Sequence, residues 1–234
     1  LNLETRLLTS EQLDNLSLSG VPLEKTLDSL KLINTFLGNH IQLSRAVIRH
    51  CKSNKNKKSF TIVDLGCGGG DSVIHLSKKL KKHNINASFI GIDGNPKSIT
   101  HAKTKSLKLT NLDFIVGDIL ASNFKIPDCD ILISSHFIYH FNDHGLTYFL
   151  KKIKDTDVEH IIFSDLYRSR IAYYLFKIIS PLLPISDIAK KDGLIAIQRA
   201  FSLQELKNII EESGIIDFKI SKKPFFRTIT KIDL

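Results

Sequence analysis

The chain has 234 residues, 42% of them hydrophobic, and a net charge of +9. That length supports one core built on a full sheet with helices on both faces. No apolar run reaches the roughly 18 residues of a membrane-spanning helix, and nothing at the amino terminus reads as a secretory signal. The three cysteines, Cys51, Cys67 and Cys129, are scattered, with no Cys-x-x-Cys pair. Such spacing excludes a disulfide framework and a zinc knuckle, so a reducing, cytoplasmic setting is expected. Of the 33 basic residues only seven are arginine, and lysines cluster at 52–58 and 78–82 without interleaved aromatics. Clusters of that kind solvate helix ends and linkers, which argues against a nucleic-acid partner.

Residues 1–52 read as a helical cap. Leu23, Leu27, Leu30, Ile33, Phe36 and Leu37 recur at helical spacing, and Ile41, Val47 and Ile48 continue the pattern beyond Gly38. Residues 58–234 then alternate strand and helix. An apolar strand, Phe60 to Val63, ends at Asp64 and runs into Gly66, Gly68 and Gly70, with a helical pattern after it. Glycines at a strand-to-helix turn let backbone N–H groups approach a ligand. Asp71 stands where a dinucleotide fingerprint wants its third glycine, which argues against a nicotinamide or flavin. A second strand, Ser88 to Ile92, ends at Asp93, followed by Gly94 and a helix opened by Pro96. An acid at that place grips ribose hydroxyls in doubly wound sheets.

A third strand, Asp113 to Val116, leads into Gly117-Asp118-Ile119. A fourth, Asp130 to Ile133, opens into Ser134, Ser135, His136, Phe137, Ile138, Tyr139 and His140. A fifth, Val158 to Ser164, ends at Asp165. Residues 166–200 interrupt the alternation with Ile171 to Ile179 and then Pro181 to Ile185, too long for a plain connection. This segment reads as a partly apolar lid, with a packed core helix or peripheral membrane contact through 171–185 as the competing readings. Ser202 with Glu205 caps a helix that stops at Gly214. Ile215 to Ile220 and Phe225 to Ile232 close the chain as a hairpin turning near Lys222 to Pro224.

The string from Ile62 to Asp71, with the acids after the second and third strands, resembles the motifs of class I S-adenosylmethionine-dependent methyltransferases. The resemblance implies an α/β, Rossmann-like, seven-stranded and mostly parallel sheet, its last strand antiparallel, with the N-terminal cap and the lid added. It implies S-adenosylmethionine as cofactor. Asp64, Gly66, Cys67, Gly68 and Gly70 would bind its methionine portion, Asp93 and Gly94 its ribose, and Asp118 and Ile119 its adenine. Ser134 to His136, Ser135 among them, would wall the methyl. Arg6 or Arg45 of the cap would reach the cofactor carboxylate if the cap closes, although surface arginines need no such role. Asp165 to Arg168, Lys191 to Gly193, Gln198 to Phe201 and Phe225 to Arg227 further resemble a bacterial small-molecule subgroup, of the phenolic, polyketide or quinone type.

On the acceptor side an oxygen nucleophile is better deprotonated, so a histidine near the methyl suits a base. His140 is the first candidate and His136 the second. Together with His144 they sit four residues apart, but a strand end between them argues against a shared zinc site, and no metal is expected. Tyr139, Asp165, Arg168 and Tyr173 are candidate acceptor contacts, with Phe176 in the lid. The expected activity is methyl transfer to a small aromatic or lipid-like hydroxyl. An RNA methyltransferase is the alternative, weakened by the absence of any Pro-Pro pair after the fourth strand. A non-catalytic S-adenosylmethionine-binding partner or sensor is the alternative from another class.

Overall fold

A computed structural model describes residues 3–121 and 123–234. Two helices, α1 (Gly20–Phe36) and α2 (Asn39–Ser53), precede the sheet and are separated by Gly38, whose φ of 69° turns the chain between them. The sheet strands are β1 (Phe60–Leu65), β2 (Ala87–Asp93), β3 (Leu112–Val116), β4 (Ile131–Ser135), β5 (His160–Leu166), β6 (Phe218–Lys223) and β7 (Arg227–Asp233). The helices between them are α3 (Asp71–Lys82), α4 (Pro96–Ser106), α5 (Asp143–Lys154), α6 (Arg170–Ile179), α7 (Asp187–Arg199) and α8 (Leu203–Glu212).

The strands form one seven-stranded sheet in the order β3-β2-β1-β4-β5-β7-β6. The first five run parallel, and β7 is inserted antiparallel between β5 and β6. Chain order reverses between β1 and β4, which places a crevice beyond their C-terminal ends. Alternation splits the core in two. Ile131 and Ile133 face a layer with Leu43, Val47, Val73 and Leu76, whereas Leu132 faces Leu146, Leu150, Leu206 and Ile210. Local chemistry fixes the helix starts. Asn95 accepts hydrogen bonds from the N–H groups of Lys97 and Ser98, with Pro96 in the first turn. Ser202 and Glu205 cap α8 reciprocally.

The closing hairpin departs from the expected register. Its first strand starts at Phe218, because Ile215 is buried against the α8 layer rather than held in the ladder. Phe225 and Phe226 leave the second strand altogether and form the turn at φ of 61° and 56°. Strand β5 also extends past Asp165, which therefore lies inside the sheet, opposite Thr228, and not at a strand tip.

Beyond β5, α6 and α7 are joined through a short 3-10 turn, Ser180–Leu182, and pack on each other; α1 packs on α7. Ser186 ties lid to cap, since its N–H donates to Ser29 Oγ at 2.9 Å and its hydroxyl meets Thr26 Oγ1 at 3.0 Å. Cap and lid thus form one roof above the crevice. No helix among the described residues is long and apolar enough to cross a membrane.

Candidate active site

Under the roof lies a cavity of about 1160 Å³. One ligand usually occupies roughly 300–1,000 Å³, so the volume suits a cofactor and an acceptor together. Asp64, Gly66, Cys67, Gly68, Asp93, Gly94, Asp118, Ile119, Ser135, His136, Tyr139 and His140 all line it. The sheet brings these together because β1, β2, β3 and β4 end side by side.

The glycine turn is built for close approach. A Cβ on Gly66, at φ 69°, would stand 2.3 Å from the Phe137 ring. Gly70 does not line the cavity; it starts α3 at φ 76°, where a Cβ would meet Phe114 at 2.7 Å. Its role is to let helix and strand pack. Asp93 fixes the turn from β2: its Oδ2 accepts from Gly68 N–H and its Oδ1 from Asn95 N–H, both at 2.9 Å.

Asp64 is buried to 1% exposure, and neither carboxylate oxygen has a hydrogen-bond partner. Burial, then Asp71 and Asp93, push its pKa well above the usual carboxylate range. An orphaned buried acid at a cavity wall calls for a cationic or donor ligand. Asp71, also at the wall, is claimed by the cap: His40 Nε2 lies 2.7 Å and Asn34 Nδ2 3.0 Å from its Oδ2. Burial works against the charge of Asp71, yet these contacts hold its pKa below the usual value.

The two histidine candidates separate. His136 takes a left-handed backbone, φ 56°, and lines the cavity, where its Nε2 is occupied by Arg227 Nη1. Burial and then Arg227 drive its pKa well below the ordinary value. A lone pair already engaged by a guanidinium cannot collect a proton, so His136 is withdrawn as a base. His140 lies in the 3-10 turn Ile138–His140, its Nδ1 3.0 Å from Asp14 Oδ1. That contact sets the proton on Nδ1 and the lone pair on Nε2. His144 is exposed in the first turn of α5, so the expected trio is not assembled.

Three acceptor candidates lie outside the cavity. Arg168 forks onto Glu205 (Nη1–Oε2 2.9 Å, Nη2–Oε1 2.6 Å) and donates to the carbonyls of Leu3, Glu4 and Ala200. It is a structural clasp. Asp165 Oδ1 accepts from Phe137 N–H at 3.1 Å, and burial lifts its pKa to about 7. It shapes the β4 loop from behind. Tyr173 packs edge-on against Tyr174, whereas Ala172, Leu175 and Phe176 of the same helix line the cavity. The cap arginines also fail to reach the cofactor end. Arg6 is spent on Asp143 and the carbonyls of Arg199, Tyr139 and Phe141, and Arg45 is exposed on α2.

Sequence reasoning missed the N-terminal strap. Glu11 caps and Asp14 ends a single 3-10 turn, Gln12–Asp14, that Asp192 of α7 holds by accepting from the N–H groups of Gln12 (2.9 Å) and Leu13 (3.0 Å). Ligand atoms of Glu11, Asp14 and His140 lie within 4.8 Å of one another. Arg199 already supplies the positive charge there, 2.7 Å from Asp14 Oδ2 and 3.5 Å from Glu11 Oε1. Burial and then Asp14 raise Glu11 to about 8. Burial opposes the charge of Asp14, but His140 and Arg199 hold it below its usual value. The sole sequence signal was Glu-x-x-Asp, too short to place without its partners. Arg227, fully buried with Nε unpaired, was likewise visible only as part of Phe225 to Arg227.

A parallel α/β sheet with its cavity at the switch point, a left-handed glycine turn and an acid after each of β2 and β3 defines a class I S-adenosylmethionine-dependent methyltransferase. The methyltransferase-domain family model matches residues 56–216, and the chain belongs to that family. The fold is similar to human N-acetylserotonin methyltransferase in complex with S-adenosylmethionine (TM-score 0.62, 15% identity, 91% of this chain and 55% of that one). It is also similar to magnesium protoporphyrin IX methyltransferase from Synechocystis with bound S-adenosylhomocysteine (0.55, 16% identity, 83% and 84%). An O-methyltransferase of Planctomyces limnophilus, in complex with apigenin, matches at 0.54 (15% identity, 74% and 49%). A curated relative, N-methyltransferase 4 of Papaver somniferum, is 28% identical over 106 residues, 45% of this chain. The match spans 29% of that relative's length.

Proposed function

We propose that the protein transfers a methyl group from S-adenosylmethionine to the hydroxyl of a small aromatic or lipid-like acceptor, with His140 as the base. The observation that carries this is the single cavity in which an acid-lined end, at the glycine turn, meets an apolar end under the lid. The residues fit the cofactor. Orphaned Asp64 suits its positive charge, Asp93 its ribose hydroxyls, and Asp118 beside buried Ile119 its adenine. When bound, S-adenosylmethionine supplies a methyl already activated on a sulfonium, so the chain's task is to bind, align and exclude water.

The acceptor end fits an apolar body carrying one polar group. Leu30, Ile33, Phe176, Ile185 and Ile197 supply the apolar wall, while His140, Glu11 and Tyr139 face the same cavity. His140 would take the acceptor proton at Nε2, and Asp14 would steady the imidazolium that results. In this reading residues 1–52 are the cap, 58–234 the methyltransferase domain, and 166–200 its acceptor-side lid.

Calorimetry with S-adenosylmethionine and S-adenosylhomocysteine, followed by a labelled-methyl assay on a panel of phenols, tests the proposal. Wild type should bind both, Asp93→Asn should bind at least about tenfold more weakly, and His140→Ala should lose about 10²–10⁴ in rate while still binding the cofactor. Absence of cofactor binding by wild type overturns the reading. An unchanged rate in His140→Ala removes the base.

A further inference from the structure

Helix α6 is apolar on two faces. Ala172 and Phe176 point into the cavity, yet Ile171 (65%), Tyr174 (52%) and Ile178 (68%) are exposed, as is Leu182 (82%) just beyond. Amphipathic helices of a soluble domain bury one stripe and solvate the other; this one offers its second stripe to solvent. The cavity mouth continues the same surface. Phe36 (75%), Leu175 (44%), Ile179 (46%) and Phe225 (53%) each line the cavity and remain exposed. Phe225 is held there at positive φ, a conformation that bulky residues avoid.

The charge around this mouth is predominantly positive. Residues 166–186 contain no Asp or Glu and carry Arg170 and Lys177 on α6. Residues 218–231, the hairpin bearing Phe225, contain no acid either and carry Lys219, Lys222, Lys223 and Lys231. The stretch 29–42, which ends α1 at Phe36, has Lys31 and no acid. Two acids beside these stretches are each paired with a base: Glu4 lies 3.8 Å from Arg170, and exposed Asp187, just past Ser186, lies 3.2 Å from Lys190.

We propose that this face docks on an anionic lipid bilayer, and that the acceptor is a chain-bearing lipid that enters the cavity directly from it. A ten-residue helix is too short to cross a bilayer but lies well in its interface, apolar side chains down and basic ones among the head groups. An apolar acceptor would then pass from lipid to cavity past Phe36, Ile179 and Phe225 without crossing water. The identity of the cargo rests on the methyltransferase reading; the docking does not.

Flotation with vesicles of equal parts phosphatidylglycerol and phosphatidylcholine tests this, with S-adenosylmethionine binding measured on the same samples. Wild type should float at least about tenfold better with these vesicles than with phosphatidylcholine alone, and salt should weaken the association. Ile178→Glu and Leu182→Glu, neither of which lines the cavity, should each cut flotation about tenfold with cofactor binding intact. Two results overturn the docking: no flotation by wild type, or undiminished flotation by both variants that still bind cofactor. A concentration-dependent dimer that the same substitutions dissolve, without vesicle binding, overturns it too and gives the face to a second copy. Protein that floats but binds no S-adenosylmethionine upholds the docking and overturns the methyltransferase reading.

Discussion

Glu11 and Asp14 lie three residues apart on one turn, yet their protonation diverges. Asp14 has His140 and Arg199 at 3.0 and 2.7 Å, whereas Glu11 is more deeply buried, its Arg199 contact is longer at 3.5 Å, and its other partners are the Asp14 N–H and Tyr139. The groups facing Glu11 are Asp14, Asp192, Arg199, His140 and Tyr139. Its pKa rises on folding, from about 4.5 to about 8. The stability it contributes is therefore complete below about pH 4.5 and is lost as pH climbs through 8. Glu11→Gln should flatten that decline, worth up to a few kcal/mol, in melting curves taken between these pH values. An identical slope in both proteins would show that Glu11 is already ionised. Gly66→Ala is the complementary steric test: a Cβ 2.3 Å from Phe137 at φ 69° should abolish cofactor binding by calorimetry. The glycines and acids at the strand ends were readable as cavity-lining candidates because local spacing alone places them there, Gly70 and Asp165 excepted. Glu11 was not, because its environment comes from α7, roughly 180 residues further along the chain.

At the scale of elements, two clasps hold the strap and the lid in place. Asp192 accepts from two backbone N–H groups of the strap while itself 3% exposed. Asp192→Ala would leave both donors without their acceptor, at roughly 1–3 kcal/mol each. Limited proteolysis should then cut within residues 3–18 and the acceptor KM should rise, whereas a resistant strap would show that other contacts suffice. Arg168 clasps the end of β5 to α8 and to the strap through Glu205 and three carbonyls. Arg168→Ala should cost roughly 1–3 kcal/mol in thermal or denaturant unfolding, since the carbonyls of Leu3 and Ala200 lose a donor while partly exposed Glu205 keeps Ser202 N–H. The folded fraction should keep its acceptor KM; a selective rise in KM would return Arg168 to the acceptor site. Helices α6 and α7 were read only as a lid segment, whereas the order of the strands and of the helices outside 166–200 was legible from periodicity together with turn and cap residues. The hairpin register was not: Ile215 and the pair Phe225-Phe226 read as strand by composition, but the core below α8 claims the first and the cavity mouth the others. Burial on a third element decides such cases, and periodicity carries no record of it.

Across the whole molecule, a sheet buried on both faces sits beneath a roof held by a handful of polar contacts. Strands β1 and β4 contribute fully buried Ile62, Val63 and Ile131 to Ile133, so they open only on global unfolding. The roof is joined to itself through Ser186 with Thr26 and Ser29, and through Asp192 with the strap. It also closes tightly on the glycine turn. A Cβ at Gly69 would meet Leu27 at 3.3 Å, and one at Gly94 would meet Leu16 at 3.5 Å. Leu16 and Leu27 belong to the strap region and to α1, so part of the cavity wall at the glycine turn is roof, and a cofactor bound there would touch both. Hydrogen exchange should show residues 3–37 and 166–186 opening far faster than β1, β4 and β5. Adding S-adenosylhomocysteine should slow exchange at 66–72 and 93–95, and equally at 11–18 and 23–37, because ligand binding draws on the stability of both walls. Protection confined to the strand ends would mean that cap and strap are fixed ornaments and that the cofactor enters by another route. Protection spread over both, with 171–182 left fast, would leave the mouth open for the acceptor after the cofactor is seated. Both ends of the cavity reach the surface, through exposed Asp118, Leu16 and Leu120 at the acid-lined end and Phe36 and Phe225 at the apolar one, so the exchange pattern decides which ligand each opening admits.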